Sequence, residues 1–564
     1  VAAGTYRPDR GANLTAGGDR AATFRLLKRV ALKGGHAGPG AADPDANDSF
    51  VHVSVFSGDL LGNDGLNFAH YEDNSYHVVT GSGTDATAVL DGFTIASGHA
   101  GYGQIRDGCG GGLFNDAGSP TIARCTFRLY KSSGSQPTGG AAVFNDYSSN
   151  PVIRDRVFFD NVADYLGGGI HCDHGSSPTI TDSTFIGNRA KYGGGLTLTG
   201  SASLVRGVIT GNAGGSLSAG VYCHDSGTPS LADCRITDNL GIGLGVSSTN
   251  AVAVTSSLIA RNQGGGVYVA GGMLTASDTA ILQNSATTGG GGYFSGSACV
   301  VRFNHCDISG NTASTSSGGL HAGTSDLIAT NCRIVGNTSS GEGGSVSCSS
   351  GAARFANCVI ADNRSAKTGG GVWCSNASPV LTHCTVTGDT ASSEAGGITL
   401  INSIFWGNKA PYGPEIAVDY GGTALLASHC DVRGGEDGIW VGSMNLGISW
   451  IDHNIDVDPQ FLDADGPDNV PGTPDDNLRL AAGSPCVDSG LSSVVAPRAE
   501  DLDGNPRLTG RAVDMGAYEQ AIVVAPAGPT VVPEGGVASF TVALAAAPPE
   551  PITVIVRTIN GEPS

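Results

Sequence analysis

The sequence predicts an all-β fold, a right-handed parallel β-helix (solenoid) of roughly a dozen coils. Three observations predict it. First, a short motif recurs: Cys234-Arg-Ile-Thr-Asp-Asn239 returns as Cys306-Asp-Ile-Ser-Gly-Asn311, Cys332-Arg-Ile-Val-Gly-Asn337 and Cys358-Val-Ile-Ala-Asp-Asn363. Cys384 opens a further copy with Asp389 in the Asn place, and from Cys306 to Cys384 each step is 26 residues. Looser copies end at Asn188, Asn212, Asn262, Asn284 and Asn408. Second, each unit holds short alternating segments, such as Val372-Trp-Cys374 and Val380-Leu-Thr-His-Cys384, which is the strand signal. Third, Gly runs (Gly167–Gly169, Gly193–Gly195, Gly369–Gly371) and Ser-Pro pairs (Ser177-Pro178, Ser378-Pro379) punctuate them as turns, and no stretch keeps a helical period.

A unit of this length suits one coil of a parallel helix, with neighbouring coils about 4.8 Å apart. Each repeat position then stacks on its copy in the next coil. The column Asn188, Asn212, Asn239, Asn262, Asn284, Asn311, Asn337, Asn363 and Asn408 reads as an amide ladder at a tight turn. The Asn residues themselves are expected in the left-handed conformation. The column Cys234, Cys306, Cys332, Cys358 and Cys384, with Cys125 and Cys430, reads as an inward stack of small groups. Buried thiols are the expected state of the 14 cysteines, although the coil spacing also lies within disulfide range. Ser403 follows Cys384 by only 19 residues, so that coil is expected to lack a strand.

Four regions follow: 1–88, an N-terminal cap with the first coils; 89–432, the regular repeats; 433–520, a C-terminal cap or anchor-associated module; and 525–564, the tail. The formal charge is −21, which argues against a nucleic-acid partner, because phosphates need a basic surface. No apolar run reaches membrane-spanning length. The chain opens at Val1 inside strand-like sequence, as expected of a fragment or a processed chain.

Outside the repeats stand Val1-Ala-Ala-Gly-Thr-Tyr-Arg-Pro8, Asp91-Gly-Phe-Thr-Ile95, Asp458-Pro-Gln-Phe461, Gly483-Ser-Pro-Cys-Val-Asp488, Asp503-Gly-Asn-Pro-Arg507 and Val513-Asp-Met-Gly-Ala-Tyr-Glu519. Together they resemble a bacterial family of secreted β-helix surface proteins, of the pectate-lyase-like fold, that carry a choice-of-anchor C-terminal module. The resemblance implies an extracellular or cell-surface location and no particular activity. The tail, Val532-Pro-Glu-Gly-Gly-Val-Ala-Ser-Phe-Thr-Val-Ala-Leu544 with Ile552-Thr-Val-Ile-Val556, resembles the first half of a Calx-β domain. In that resemblance Glu534 matches an early acidic calcium position, in an incomplete site.

Two clusters are candidates for chemistry. Asp463, Asp465, Asp468, Asp475 and Asp476 alternate with Gly and Pro, as a loop wrapping Ca²⁺ would, or as a solvated turn. Asp116, Asp146 and Asp173 recur at nearly one repeat position, with His174 beside the last and His224-Asp225 two coils later. Stacked carboxylates could bind calcium or act as an acid/base pair, and a row of turn-capping residues is the alternative. Tyr222, Tyr268, Tyr293 and Trp373 could stack on sugar rings, but on alternating strands some are expected to point inward. Trp450-Ile-Asp-His453 copies a pectate-lyase string outside the regular coils and is read as a coincidence. The polygalacturonase motifs, a Gly-x-Ser-x-Gly elbow and a His-Glu-x-x-His site are absent.

The first expectation is therefore a non-enzymatic rigid scaffold for adhesion, glycan binding or extracellular assembly. A calcium-assisted polysaccharide lyase or glycoside hydrolase is the alternative; it needs a basic cluster that the 30 Lys and Arg do not form beside the Asp column. A filament subunit, its half sandwich completed by a neighbour, is the third.

Overall fold

A computed structural model describes residues 1–520, apart from 12–16, 102–107, 134–138, 216, 249, 297, 375–376, 378, 392–398, 413, 419–424, 442–447 and 452. The Calx-β-like tail with Glu534, Asp452 and Ser378 lie outside the described residues. The chain winds into a parallel β-solenoid of about 12 turns with almost no helix. Among the described residues no helix is long and apolar enough to cross a membrane.

Each regular coil gives two strands to one 30-stranded sheet, for instance Ser230–Ala232 and Arg235–Thr237, and one strand to a 13-stranded sheet. Some coils add a rung to a short third sheet, as Ser285–Thr288 and Thr312–Ser316 do. Register follows the sequence repeat: Ile308 pairs with Ile334, Ile334 with Ile360, and Ile360 with Val386. All four are buried, so one inward position per coil builds a continuous apolar column. The first coils form from the N-terminal region, where Gly4–Tyr6, Ser54–Ser57 and Phe93–Ala96 pair in turn, and the Phe24, Phe56 and Phe93 rings stack inside. Ile448–Trp450 adds one more strand to the long sheet. Trp450, which opens the Trp450–His453 string, thus lies in a strand of the solenoid one rung beyond the regular repeats.

The Asn column is a hydrogen-bonded ladder. Asn239 Nδ2 donates to Asn262 Oδ1 at 2.9 Å, Asn262 to Asn284 at 2.9 Å, and Asn284 to Asn311 at 3.0 Å. Each backbone N–H also donates to the Oδ1 of the following rung, and the second Nδ2 proton goes to a carbonyl, as from Asn239 to Ile209 at 3.1 Å. Asn161 extends the ladder on one side, and Glu415 closes the other by accepting from Asn408 Nδ2 at 2.6 Å. The left-handed residue is not the Asn but the one before it: Asp238, Arg261, Gln283, Gly310, Gly336 and Asp362 all have positive φ. The turn needs the Asn side chain pointing inward to its partners, so the preceding residue takes the strained backbone.

Asp389 breaks the chemical rule of this ladder. It accepts from Asn363 at 3.0 Å, but its Oδ2 is buried without a partner. Burial pushes its carboxyl well above the usual range, against the lowering effect of the Asn363 bonds. The folded state therefore holds a proton that the unfolded chain releases above about pH 4. This contribution is fully favourable at acid pH and is lost as pH rises from there toward the folded value. Asp389→Asn restores a donor and is expected to stabilise the fold at pH 7 by about 1–3 kcal/mol, with a flatter dependence of urea midpoint on pH between 4 and 7.

All 14 cysteines are buried and none forms a disulfide. In the repeat column the thiol turns back on its own strand: Cys332 Sγ lies 3.1 Å from Thr330 O, and Cys358 Sγ 3.3 Å from Ala356 O. Ser257 and Thr279 make the same bond from the same position. From Cys234 onward the column holds a small side chain with a donor at each rung. Arg156 also falls in it, buried, with only its Nε bonded, to Ile122 O at 3.1 Å.

Part of the 433–520 module, expected to cap the stack, lies along its flank. Leu478, Ala517 and Tyr518 pack on Val335, Val359 and Ala361, which face outward from the second strands of their coils. Ala517 N donates to Thr385 Oγ1 at 3.0 Å, and Leu491 N to Asn402 Oδ1 at 2.6 Å. Outward positions that are polar in other coils, such as Asp307 and Ser309, are apolar here because they are covered.

Candidate functional face

The 13-stranded sheet presents the candidate functional face. Its strands follow the Gly runs, and these glycines are needed by close approach: a Cβ on Gly266 would stand 2.6 Å from Gly291 O, and one on Gly291 2.8 Å from Gly319 O. In most of these strands the residue two places after the last Gly points outward, and strand register puts Phe144, Tyr293 and Ser347 at the same position. Paired strands put these residues in one column. It runs Phe114, Phe144, His171, Thr197, Tyr222, Gly245, Tyr268, Tyr293, His321, Ser347 and Trp373. Tyr222, Tyr268, Tyr293 and Trp373 therefore share one outward row. The expectation that some point inward fails, because each occupies the same phase of its strand.

Gly245 divides the row. A Cβ there would stand 2.2 Å from Leu217 O, so the chain crosses close over this point. Before it, Phe114, Phe144, His171 and Tyr222 are buried. Beyond it, Tyr268, Tyr293, His321 and Trp373 are half-exposed. Tyr268 and Tyr293 stack with centroids 5.6 Å apart and ring planes 3° from parallel; Tyr293 and His321 lie at 5.0 Å and 5°. His321 Nδ1 meets Ser347 Oγ at 2.7 Å, and burial lowers the imidazole's pKa. The five positions from Tyr268 to Trp373 span about 19 Å at the strand spacing of a sheet. Four of the five side chains do not ionise at neutral pH, and burial favours the neutral form of the fifth, His321.

Beside the buried half of the row lies the acid–histidine cluster. Asp146 pairs in register with Asp116, and Asp173 follows one coil on. His174 Nδ1 is 2.6 Å from Asp146 Oδ1 and 3.5 Å from Asp173 Oδ2. One ligand atom from each of Asp146, Asp173 and His174 lies within 4.8 Å of the others, the only such group among the described residues. Asp116 is not part of it. The carboxylates also cap turns: Asp146 Oδ1 accepts from Tyr147 N and Asp173 Oδ1 from His174 N, both at 2.8 Å. Burial works against a charged His174, but the Asp146 bond and the Asp173 charge outweigh it and raise its pKa.

Behind the cluster stands His171, which the sequence reading passed over. It is 1% exposed, its Nδ1 meets Thr197 Oγ1 at 2.6 Å, and its Nε2 lacks a hydrogen-bond partner 4.0 Å from Asp173 Oδ2. Burial, reinforced by neighbouring His224, holds its pKa well below that of an ordinary histidine. His224 stacks on His171 at 5.6 Å, and its Nδ1 is 3.1 Å from Asp225 Oδ2, so His224 and Asp225 reach the cluster through His171. His224 lowers the Asp225 carboxyl in turn.

The second carboxylate loop does not converge. Asp476 Oδ2 accepts from Gly472 N at 2.7 Å and Thr473 N at 3.2 Å, while Asp468 Oδ1 accepts from Val470 N at 2.9 Å. Among the described residues no three of Asp463, Asp465, Asp468, Asp475 and Asp476 come within metal-binding reach of one another. Asp468 and Asp476 serve the turns of that loop.

The geometry defines a parallel β-helix protein with one ordered outward face. A family model described as right handed beta helix region matches residues 64–208 and 270–405, which gives the helix its hand. The crystal structure of pectate lyase Pel9A is similar over 71% of this chain and 88% of that chain, at 12% identity and a TM-score of 0.32. A search of curated proteins found no match.

Proposed function

We propose that this protein is a non-enzymatic extracellular or cell-surface scaffold that holds extended neutral polysaccharide along the Tyr268–Trp373 row. The observation that carries the reading is the half-exposed column of stacked rings Tyr268, Tyr293 and His321, with Trp373 in the same row beyond Ser347. Partly exposed aromatic side chains that combine an apolar body with a polar tip suit the mixed apolar and polar surface of sugar rings. A straight row over several coils matches a linear polymer better than a compact ligand. The absence of Lys and Arg from the row, with a net charge of −21, favours a neutral chain over a uronate polymer.

Native affinity electrophoresis in gels containing neutral or acidic polysaccharides, with and without calcium, tests this reading. The expected result is retardation by at least one neutral polymer, unaffected by calcium, with no unsaturated product and no new reducing ends. Cleavage dependent on Asp146 and Asp173 would favour the alternative, a calcium-assisted lyase or hydrolase, whose only structural support is the Asp146–Asp173–His174 group.

A further inference from the structure

We propose that Asp146, Asp173 and His174 form a binding site for a borderline divalent cation of the zinc class, with His171 behind it. This inference is independent of the polysaccharide row, which lies in other coils. Three observations meet here. The ligand atoms of the three residues already lie within 4.8 Å of one another. The set mixes an imidazole with carboxylates; calcium takes oxygen ligands, whereas nitrogen with carboxylate oxygen suits zinc and its neighbours. The third observation is independent of the acidic group. His171 is a buried imidazole held at Nδ1 by Thr197, with an unpartnered Nε2 facing the Asp173 carboxylate at 4.0 Å.

An imidazole fixed on one nitrogen and aimed at a ligating carboxylate is how metal sites orient their ligands. With Thr197 Oγ1 donating to Nδ1, His171 carries its proton on Nε2, the nitrogen 4.0 Å from Asp173 Oδ2. The stacked His224 ring and its Asp225 partner hold His171 from the far side. Three protein ligands leave a tetrahedral ion one open position. The cluster opens to solvent on the His174 side, where that side chain is 56% exposed, so the open position takes water or an oxygen of a bound molecule.

The full chain, stripped with chelator and dialysed, is titrated calorimetrically with ZnCl₂ and with CaCl₂, and by visible absorption with CoCl₂. The expected result is one equivalent of Zn²⁺ bound at least about tenfold more tightly than Ca²⁺, with a Co²⁺ spectrum of nitrogen and oxygen ligands. His174→Gln is the decisive variant, because an exposed side chain can be changed without disturbing the core. It is expected to weaken Zn²⁺ at least about tenfold while circular dichroism stays unchanged. His171→Gln is expected to weaken it by about 10–100-fold. Zn²⁺ binding unchanged in His174→Gln, Ca²⁺ binding as tight as Zn²⁺, or a Co²⁺ spectrum with intense thiolate charge transfer would each overturn the proposal. The last would assign the metal to the buried cysteines instead.

Discussion

Replacing Asn311 by alanine is expected to lower stability by about 3–5 kcal/mol, the largest effect of any polar substitution in the coils. Asn311 Oδ1 accepts from both Asn284 N and Asn284 Nδ2, and its own Nδ2 donates to Ile281 O and Asn337 Oδ1. All these groups are buried, so alanine removes four bonds and leaves donors of Asn284 facing the interior without water. Each bond contributes about 1 kcal/mol net, and an orphaned buried group costs about 1–3 kcal/mol. In a solenoid the loss falls mainly on neighbouring coils. Hydrogen exchange is therefore expected to accelerate in residues 280–340 before the remainder, alongside a lower urea midpoint. Asn304→Ala, at a half-buried outward position, is expected to change stability by about 0.5 kcal/mol or less. Equal effects from the two variants would show that the ladder is not a main source of coil stability.

Tyr293→Ala is expected to weaken polysaccharide binding about thirtyfold, or roughly 2 kcal/mol, on the scale of a central aromatic anchor. Tyr293 sits between Tyr268 and His321 and stacks on both, so its loss opens a gap that separates its neighbours. Tyr293→Phe retains the stack and is expected to keep most of the affinity, the difference reporting the hydroxyl. Phe159→Ala alters an exposed ring on the long sheet and is expected to leave binding unchanged. Affinity electrophoresis at graded polymer concentration measures all three.

The β-helix was legible because its periodicity is written twice, in the Cys-to-Asn spacing and in the Gly runs. The Asn column could be read by position alone. The residue bearing its left-handed strain could not, because Asp238, Arg261 and Gln283 give no common chemical signal. The aromatic row was legible in principle: Tyr222, Tyr268, His321 and Trp373 stand two places after the last Gly of their turns, and Tyr293 two places after Gly291, the third of its four glycines. Counting from that glycine, and not from the Cys, reveals their common phase. His171 obeys the same count, but its role depends on Thr197 and on a stack with His224 that no spacing encodes. The carboxylate loop at 463–476 stayed open between two readings for a different reason. Its alternation is shared by metal loops and by Asp-capped turns, and only the fold shows where the oxygens go. The docked flank left a trace as well: Val359-Ile360-Ala361 breaks the polar–apolar alternation where the C-terminal segment covers it.

The most direct test of the account is hydrogen–deuterium exchange with and without a neutral oligosaccharide drawn from a polymer that retards the protein. The account predicts protection confined to the strands Val267–Ala270, Gly292–Ser295, Leu320–Ala322, Val346–Cys348 and Val372–Cys374, which carry the row. Protection on the long sheet or around Asp146 and His174 with these strands unchanged, or failure of every neutral polymer to bind, would contradict it.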